Sequence, residues 1–174
     1  MRYGLINTQT PAPLIKIKDF PLSEQPILSP QKGLKWIPDN APVYNSRTQT
    51  LTLVSPVPVD ATEVPYAVQY KPNTDIFKLI KNEAYKRIIN IFGADNRNAT
   101  AKQRNLIARA VELTDKGRAN WTQAELAEWD AGNSLWARVK SLRNDSNNLE
   151  TLYVGMSNSD KNNFDPSNNI YWSE

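Results

Sequence analysis

Residues 71–93 read KPNTDIFKLIKNEAYKRIINIFG, and they mark the point where the chain changes character. Small and apolar residues recur at spacings of four, four, four and three, which predicts an amphipathic helix. The residues at those positions are Ile76, Ile80, Ala84, Ile88 and Ile91. Thr74 or Asp75 is the expected N-terminal cap, and Gly93 stands where a C-terminal stop is expected.

This first helix is apolar over a wide arc, because Phe77, Ile89 and Phe92 add a second apolar edge. A helix of that kind is buried in a core or packs against copies of itself. The surplus predicts a homo-oligomer, and β-branched residues such as Ile80 and Ile88 favour three helices around a three-fold axis. The alternative is that the Pro-rich segment folds back and covers the surplus.

Proline dominates the chain before this helix. Eleven of the twelve prolines lie between Pro11 and Pro72, which predicts strands, extended segments and turns for residues 1–72. Five strands are expected: Tyr3–Asn7, Leu14–Lys18, Gly33–Ile37, Leu51–Ser55 and Tyr66–Tyr70. The segment is either a docking element that leans on a partner or a small self-contained β-domain.

Two further helices complete a helical domain predicted for residues 73–150. Thr100 and Gln103 form a candidate capping box for the second helix, and Gly117 ends it. The third helix opens with a second capping box, Thr122 with Glu125, and its Gly132 predicts a kink or a close helix contact. Trp129 and Trp136 follow at a spacing of seven, which indicates either core residues or a carbohydrate-stacking platform.

Residues 151–174, TLYVGMSNSDKNNFDPSNNIYWSE, are rich in Asn, Ser and Asp. That composition predicts an extended or flexible C-terminal arm, with Tyr171 and Trp172 as an anchor on a partner. The fold class is therefore α+β, with a Pro-rich β part, about three helices and an Asn-rich arm.

The window AKQRNLIARAVELTDKG, residues 101–117, raises the question of nucleic-acid binding. Lys102, Arg104 and Arg109 alternate there with neutral and acidic residues, and the net charge of the chain is only +3. Mixed charge along a helix is typical of a solvated face rather than a basic ridge. No specific nucleic acid is expected as a partner.

Chemistry has few candidates in this composition. The chain has no Cys and no His, so a thiolate nucleophile, the commonest general base and the commonest metal ligand are missing, and chemistry would have to rest on Asp, Glu, Lys, Ser, Thr or Tyr. No phosphate loop, nucleophile elbow or calcium loop is present. We expect no enzyme, no catalytic or metal site and no cofactor. Without a signal-peptide core or a long apolar run, we also expect no passage into the secretory path and no membrane partner.

The order of these segments resembles proteins of tailed-bacteriophage tails and tail fibres. One motif in the Pro-rich part carries the first half of the resemblance, at Trp36, Pro38, Pro42, Tyr44, Thr48, Gln49 and Leu51. A helical motif carries the second half, at Trp136, Val139, Lys140, Arg143, Ser146 and Asn147. The resemblance covers residues 1–150, and its motifs are structural rather than catalytic.

The resemblance implies a non-enzymatic structural protein of the virion tail (tail fibre, tail tip or baseplate), made in the bacterial host cytoplasm and docked onto other tail proteins. The three-fold symmetry common in such tails also implies a trimer. Two alternatives stay open: a tail-fibre assembly chaperone absent from the mature virion, and a small carbohydrate- or nucleic-acid-binding module. The candidate partner-binding residues are Trp36, Tyr44, Ile80, Ile88, Tyr171 and Trp172.

Overall fold

The structure is a computed structural model that describes residues 1–21, 23, 26, 32–93 and 96–173, without the side chain of Asn96. The chain divides into two compact units, Met1–Lys71 (unit 1) and Pro72–Glu174 (unit 2). The described residues form five strands in two small sheets and four α-helices, a mixed α and β structure.

The first sheet of unit 1 has three antiparallel strands: β1 (Arg2–Asn7), β2 (Lys16–Asp19) and β3 (Leu34–Pro38). Their order is β2-β1-β3, and Gly4 at the centre lies opposite Ile17 and Ile37. A β-carbon built at Gly4 would lie only 2.5 Å from a methyl group of Val64. Glycine is therefore needed there for close packing.

The second sheet is a two-stranded antiparallel ribbon of β4 (Gln49–Leu53) and β5 (Tyr66–Tyr70). All five strands lie within one or two residues of their predicted positions. The core of unit 1 consists of four buried aliphatic residues: Ile6, Ile37, Val57 and Val64. The Pro-rich segment therefore has a hydrophobic core of its own.

A buried carboxylate joins the first sheet to the ribbon within unit 1. The Asp39 side chain is 1% exposed, and its Oδ2 lies 2.9 Å from Nε of Arg2. Its other oxygen accepts a hydrogen bond of 2.6 Å from the hydroxyl of Tyr66. Burial, the hydrogen bond to Asp39 and the charge of that carboxylate together raise the pKa of Tyr66 to about 12.

This shift predicts how unit 1 responds to alkaline pH. The folded pKa of Tyr66 is above its unfolded value of 10.0, so its contribution to stability is complete below about pH 10 and disappears as pH rises through about 12. The free energy of unfolding of unit 1 is expected to decline over that interval, as measured from the methyl NMR signals of Ile6 and Ile37 during urea unfolding at each pH. Tyr66→Phe should lose less of its free energy of unfolding over that interval than the wild type. Tyr44→Phe, at an exposed tyrosine, should lose as much as the wild type. Identical profiles for the wild type and Tyr66→Phe would contradict the prediction.

Unit 2 contains α1 (Asn73–Phe92), α2 (Asn96–Lys116), α3 (Gln123–Gly155) and the short α4 (Asn158–Asn163). Gly93 and Gly117 have φ of 74° and 75°, so they lie in the left-handed region that favours glycine, and they end α1 and α2 as predicted. The capping box of Thr122 and Glu125 at the start of α3 is confirmed.

Two predicted N-terminal caps are wrong. Thr74 and Asp75 lie inside α1, and the N-cap position is Pro72, whose side chain has no polar atom to cap the helix. Thr100 lies inside α2, which already begins at Asn96, so Thr100 and Gln103 do not form its capping box. The third helix also continues past residue 150, to Gly155.

The C-terminal residues differ from the predicted extended arm. Residues 151–155 continue α3, α4 follows, and the segment after α4 (residues 164–173) packs onto α1 and α3. Three of its aromatic side chains, Phe164, Tyr171 and Trp172, join the core formed by Ile76, Ile80, Ala84, Leu142, Leu149 and Tyr153. The reason is hydrophobic burial, which outweighs the polar composition of the segment. No helix among the described residues is long and apolar enough to span a membrane.

Candidate functional site

The structure places four of the six predicted partner-binding residues in the interior of unit 2. Ile80 is 0% exposed and Trp172 is 6% exposed, and Ile88 and Tyr171 are half-buried against the same core. Within unit 2, the apolar surplus of α1 is thus covered by α2, α3 and the C-terminal segment. The argument from α1 for three-fold packing loses its physical basis.

Trp36 and Tyr44 lie in unit 1, on different elements. Trp36 is half-buried on β3, where its indole meets the ring of Phe20 edge-on at a centroid distance of 5.0 Å. Tyr44 is exposed in the segment before β4, beside the fully exposed Val43. Within unit 2, four of the predicted residues share one core, and within unit 1 the other two lie on separate elements.

The β4–β5 ribbon has one apolar face. In its register, Leu51 lies opposite Val68, Leu53 lies opposite Tyr66 and the buried Gln49 lies opposite Tyr70, so these six side chains point to the same side. We call the five hydrophobic residues among them the docking face. Leu53 and Val68 are each 37% exposed and Tyr70 is 38% exposed, so the face is only partly covered. The opposite face carries Thr50, Thr52, Ala67 and Gln69.

Unit 2 contains a concave site between α2 and α3, which we call the α2–α3 groove. Its volume is about 380 Å³, within the range of small-ligand sites. The wall from α2 includes Leu106, Arg109, Ala110 and Leu113, and the wall from α3 includes Trp129, Gly132, Asn133 and Trp136. These are the facing stripes of the two helices, and space is left between them.

Gly132 sets how closely the helices approach on the floor of the groove. A β-carbon at this position would lie 3.2 Å from a methyl group of Leu106, so the predicted close helix contact at Gly132 is present. Trp121 contacts the wall of the groove, where its indole N–H donates to the carbonyl of Leu113 at 2.6 Å. Its ring also meets that of Trp129 at 5.0 Å.

An ion-pair network centred on Arg109 lies along one rim of the groove. The Arg109 guanidinium lies 3.0 Å from carboxylate oxygens of both Glu112 and Glu128 and 3.5 Å from Glu125. Hydrogen bonds to Glu112 and Glu128 raise the pKa of Arg109. The hydrogen bonds that Lys116 and the backbone of Thr122 donate lower the pKa of Glu125 to about 2.

The basic window is therefore only partly a solvated face. Arg109 is held by carboxylates, and the Lys102 ammonium donates to the carbonyl of Phe92 at 2.7 Å, next to the end of α1. Arg104 is exposed. The three cations do not form a basic ridge. Lys102 is bonded to the end of α1, and Arg109 is paired with carboxylates on α2 and α3.

Trp136 is neither fully buried core nor an exposed platform. It is half-buried, and it lines both the groove and a second depression of about 290 Å³ next to Ile107 and Val111. Sequence reasoning recognised the two tryptophans but not the groove. The spacing shows that they share a helix face, whereas the gap between α2 and α3 depends on how the helices cross.

Comparisons of the chain with protein-family models, with curated proteins and with solved structures gave no match. Among the residues that the structure describes, no group of three or more His, Cys, Asp or Glu side chains is placed to hold a metal ion. We take two features of the described residues as candidate binding surfaces: the docking face of unit 1 and the α2–α3 groove of unit 2.

Proposed function

We propose that this protein is a non-enzymatic structural component of a bacteriophage virion tail, where it docks onto other tail proteins. The resemblance over residues 1–150 supports the setting. The observation that carries docking is the partly covered apolar face of the β4–β5 ribbon, because a two-stranded ribbon is marginal alone and an exposed apolar patch marks a contact surface.

The partner is another tail protein with a complementary apolar surface. Tyr44 and Val43, in the segment before β4, are also exposed. A homo-oligomer, with a trimer favoured, is part of the proposal on the strength of the resemblance alone. The main alternative is an assembly chaperone that uses the same face but leaves before the particle is complete.

Mass spectrometry of purified particles of the encoding phage tests the proposal. We expect the protein in the particle at a fixed ratio to other tail proteins, whereas an assembly chaperone would be present in the lysate and absent from the particle. Failure to find it in the particle would contradict the structural role.

Two neighbouring substitutions test the docking face. Val68→Asp puts a charge on the face, and Gln69→Asp puts the same charge on the opposite side of the same strand. We expect the Val68→Asp protein to fold but to be lost from particles, because docking would bury an unpaired carboxylate. Gln69→Asp should be incorporated normally. Equal incorporation of both variants would show that this face is not the contact.

A further inference from the structure

We propose that the α2–α3 groove binds a neutral saccharide, with a sugar ring packed against Trp136 and Trp129. This inference concerns unit 2 alone and does not depend on a role in a tail. It rests on three properties of the groove: indole surface, amide groups without partners, and cations that are already engaged.

The indoles supply the apolar part of the site. Trp136 lines two depressions, so it is accessible from two sides, and Trp129 lies along the same wall. The C–H face of a pyranose ring is apolar with slightly positive hydrogens, and it complements the negative face of an indole. The volume of about 380 Å³ accommodates one or two sugar rings at the scale of small-ligand sites.

The polar groups favour hydroxyls as their ligands. Asn105 on α2 and Asn133 on α3 line opposite walls, and within the described part of the chain neither side chain makes a hydrogen bond. Each amide offers donors and an acceptor, and a hydroxyl does the same. An apolar helix laid into the groove would instead bury both amides without partners, which is costly.

The charges favour a neutral ligand. The Arg109 guanidinium contacts three carboxylates, and the Lys102 ammonium donates to a backbone carbonyl. A phosphate or carboxylate ligand would have to compete with these partners and would approach Glu128 on the same rim. The groove therefore suits a hydroxyl-rich molecule without charge.

A printed array of bacterial oligosaccharides, neutral and acidic, probed with the purified full chain, tests the proposal. We expect neutral hexose-containing oligosaccharides to bind, with dissociation constants in the millimolar to high-micromolar range by titration calorimetry. In NMR spectra the indole N–H signals of Trp129 and Trp136 should shift on binding, while those of Trp36 and Trp172 should not.

Matched variants separate the groove from the rest of the surface. Asn105→Ala with Asn133→Ala removes the two amides, both exposed, and should weaken binding at least about tenfold without changing the fold. Asn144→Ala with Asn148→Ala, at exposed positions of α3 outside the groove, should leave the affinity unchanged. The proposal would be overturned if no neutral oligosaccharide on the array bound, or if only acidic ones did. Equal affinity of the two double variants for the same oligosaccharide would also overturn it.

Discussion

Trp172→Ala is expected to lower the free energy of unfolding of unit 2 by about 3–5 kcal/mol, the usual cost of truncating a buried tryptophan. The side chain is 6% exposed, and its indole N–H donates to the carbonyl of Pro166 at 2.8 Å. The Arg87 guanidinium lies 4.9 Å from the ring centroid and donates to the carbonyl of Ser167. Truncation leaves a cavity, removes the donor that bonds the Pro166 carbonyl, and removes the ring that packs against the Arg87 guanidinium. Urea unfolding followed by far-UV circular dichroism measures the change.

Ile170→Ala is the matched control for this experiment. Ile170 lies two residues away in the same segment and is 76% exposed, so its truncation should change stability by no more than about 0.5 kcal/mol. If Trp172→Ala unfolded like the wild type, the C-terminal segment would be the loose arm that its composition predicts. A large effect from Ile170→Ala would point to a different packing of the segment.

The C-terminal segment shows where sequence reasoning stops. Its Asn, Ser and Asp residues led to the prediction of an extended or flexible arm, whereas in the structure Asp165 and Asn168 accept local backbone hydrogen bonds typical of turns. Phe164 and Trp172, however, follow no helical or strand period, and without a period nothing in the local sequence predicts burial. The core that they join includes residues of α1, which is distant in the sequence.

The same contacts explain why the first helix suggested an oligomer. The wide apolar arc of α1 was identified correctly, and its residues are buried as such an arc requires. A sequence pattern shows that a surface must be covered but not by which element. Here, residues 164–173 cover part of it, so the prediction of helices packed around a three-fold axis lacks support from α1.

The strands were easier to predict because prolines and glycines limit them locally. Each strand of unit 1 lies within one or two residues of its expected position, although the pairing β2-β1-β3 is a tertiary property. The candidate sites were harder. The docking face depends on the register that places Leu51 opposite Val68, and the groove depends on the gap between two helices.

No sequence motif indicated the buried carboxylate of Asp39. The second large stability effect that we expect comes from removing its ion-pair partner, Arg2. Arg2 is far from it in sequence and half-exposed, so neither residue suggests a buried pair by itself. In the structure, the Asp39 carboxylate pairs with the Arg2 guanidinium from β1 and accepts a hydrogen bond from the Tyr66 hydroxyl of β5. The backbone N–H of Asp39 also donates to the carbonyl of Arg2. One carboxylate thus connects three parts of unit 1.

Arg2→Ala is expected to destabilise unit 1 by about 2–3 kcal/mol. Breaking a fully buried ion pair costs about 3–5 kcal/mol because the remaining charge stays buried. The cost is lower here because the Arg2 side chain is 55% exposed, so water can enter the space that it vacates. Hydrogen exchange of the core amides of Ile6 and Ile37 measures the change in unit 1 without interference from the helices.

The double variant Arg2→Ala with Asp39→Asn identifies the cause of this loss. An asparagine carries no charge and keeps an oxygen for the Tyr66 hydroxyl, so the double variant should be more stable than Arg2→Ala alone. If the two variants exchanged at the same rate, the loss would come from the packing of the arginine stem and not from an uncompensated carboxylate. A wild-type rate in Arg2→Ala would show that Tyr66 and solvent together suffice for Asp39, and that the ion pair on β1 contributes nothing to unit 1.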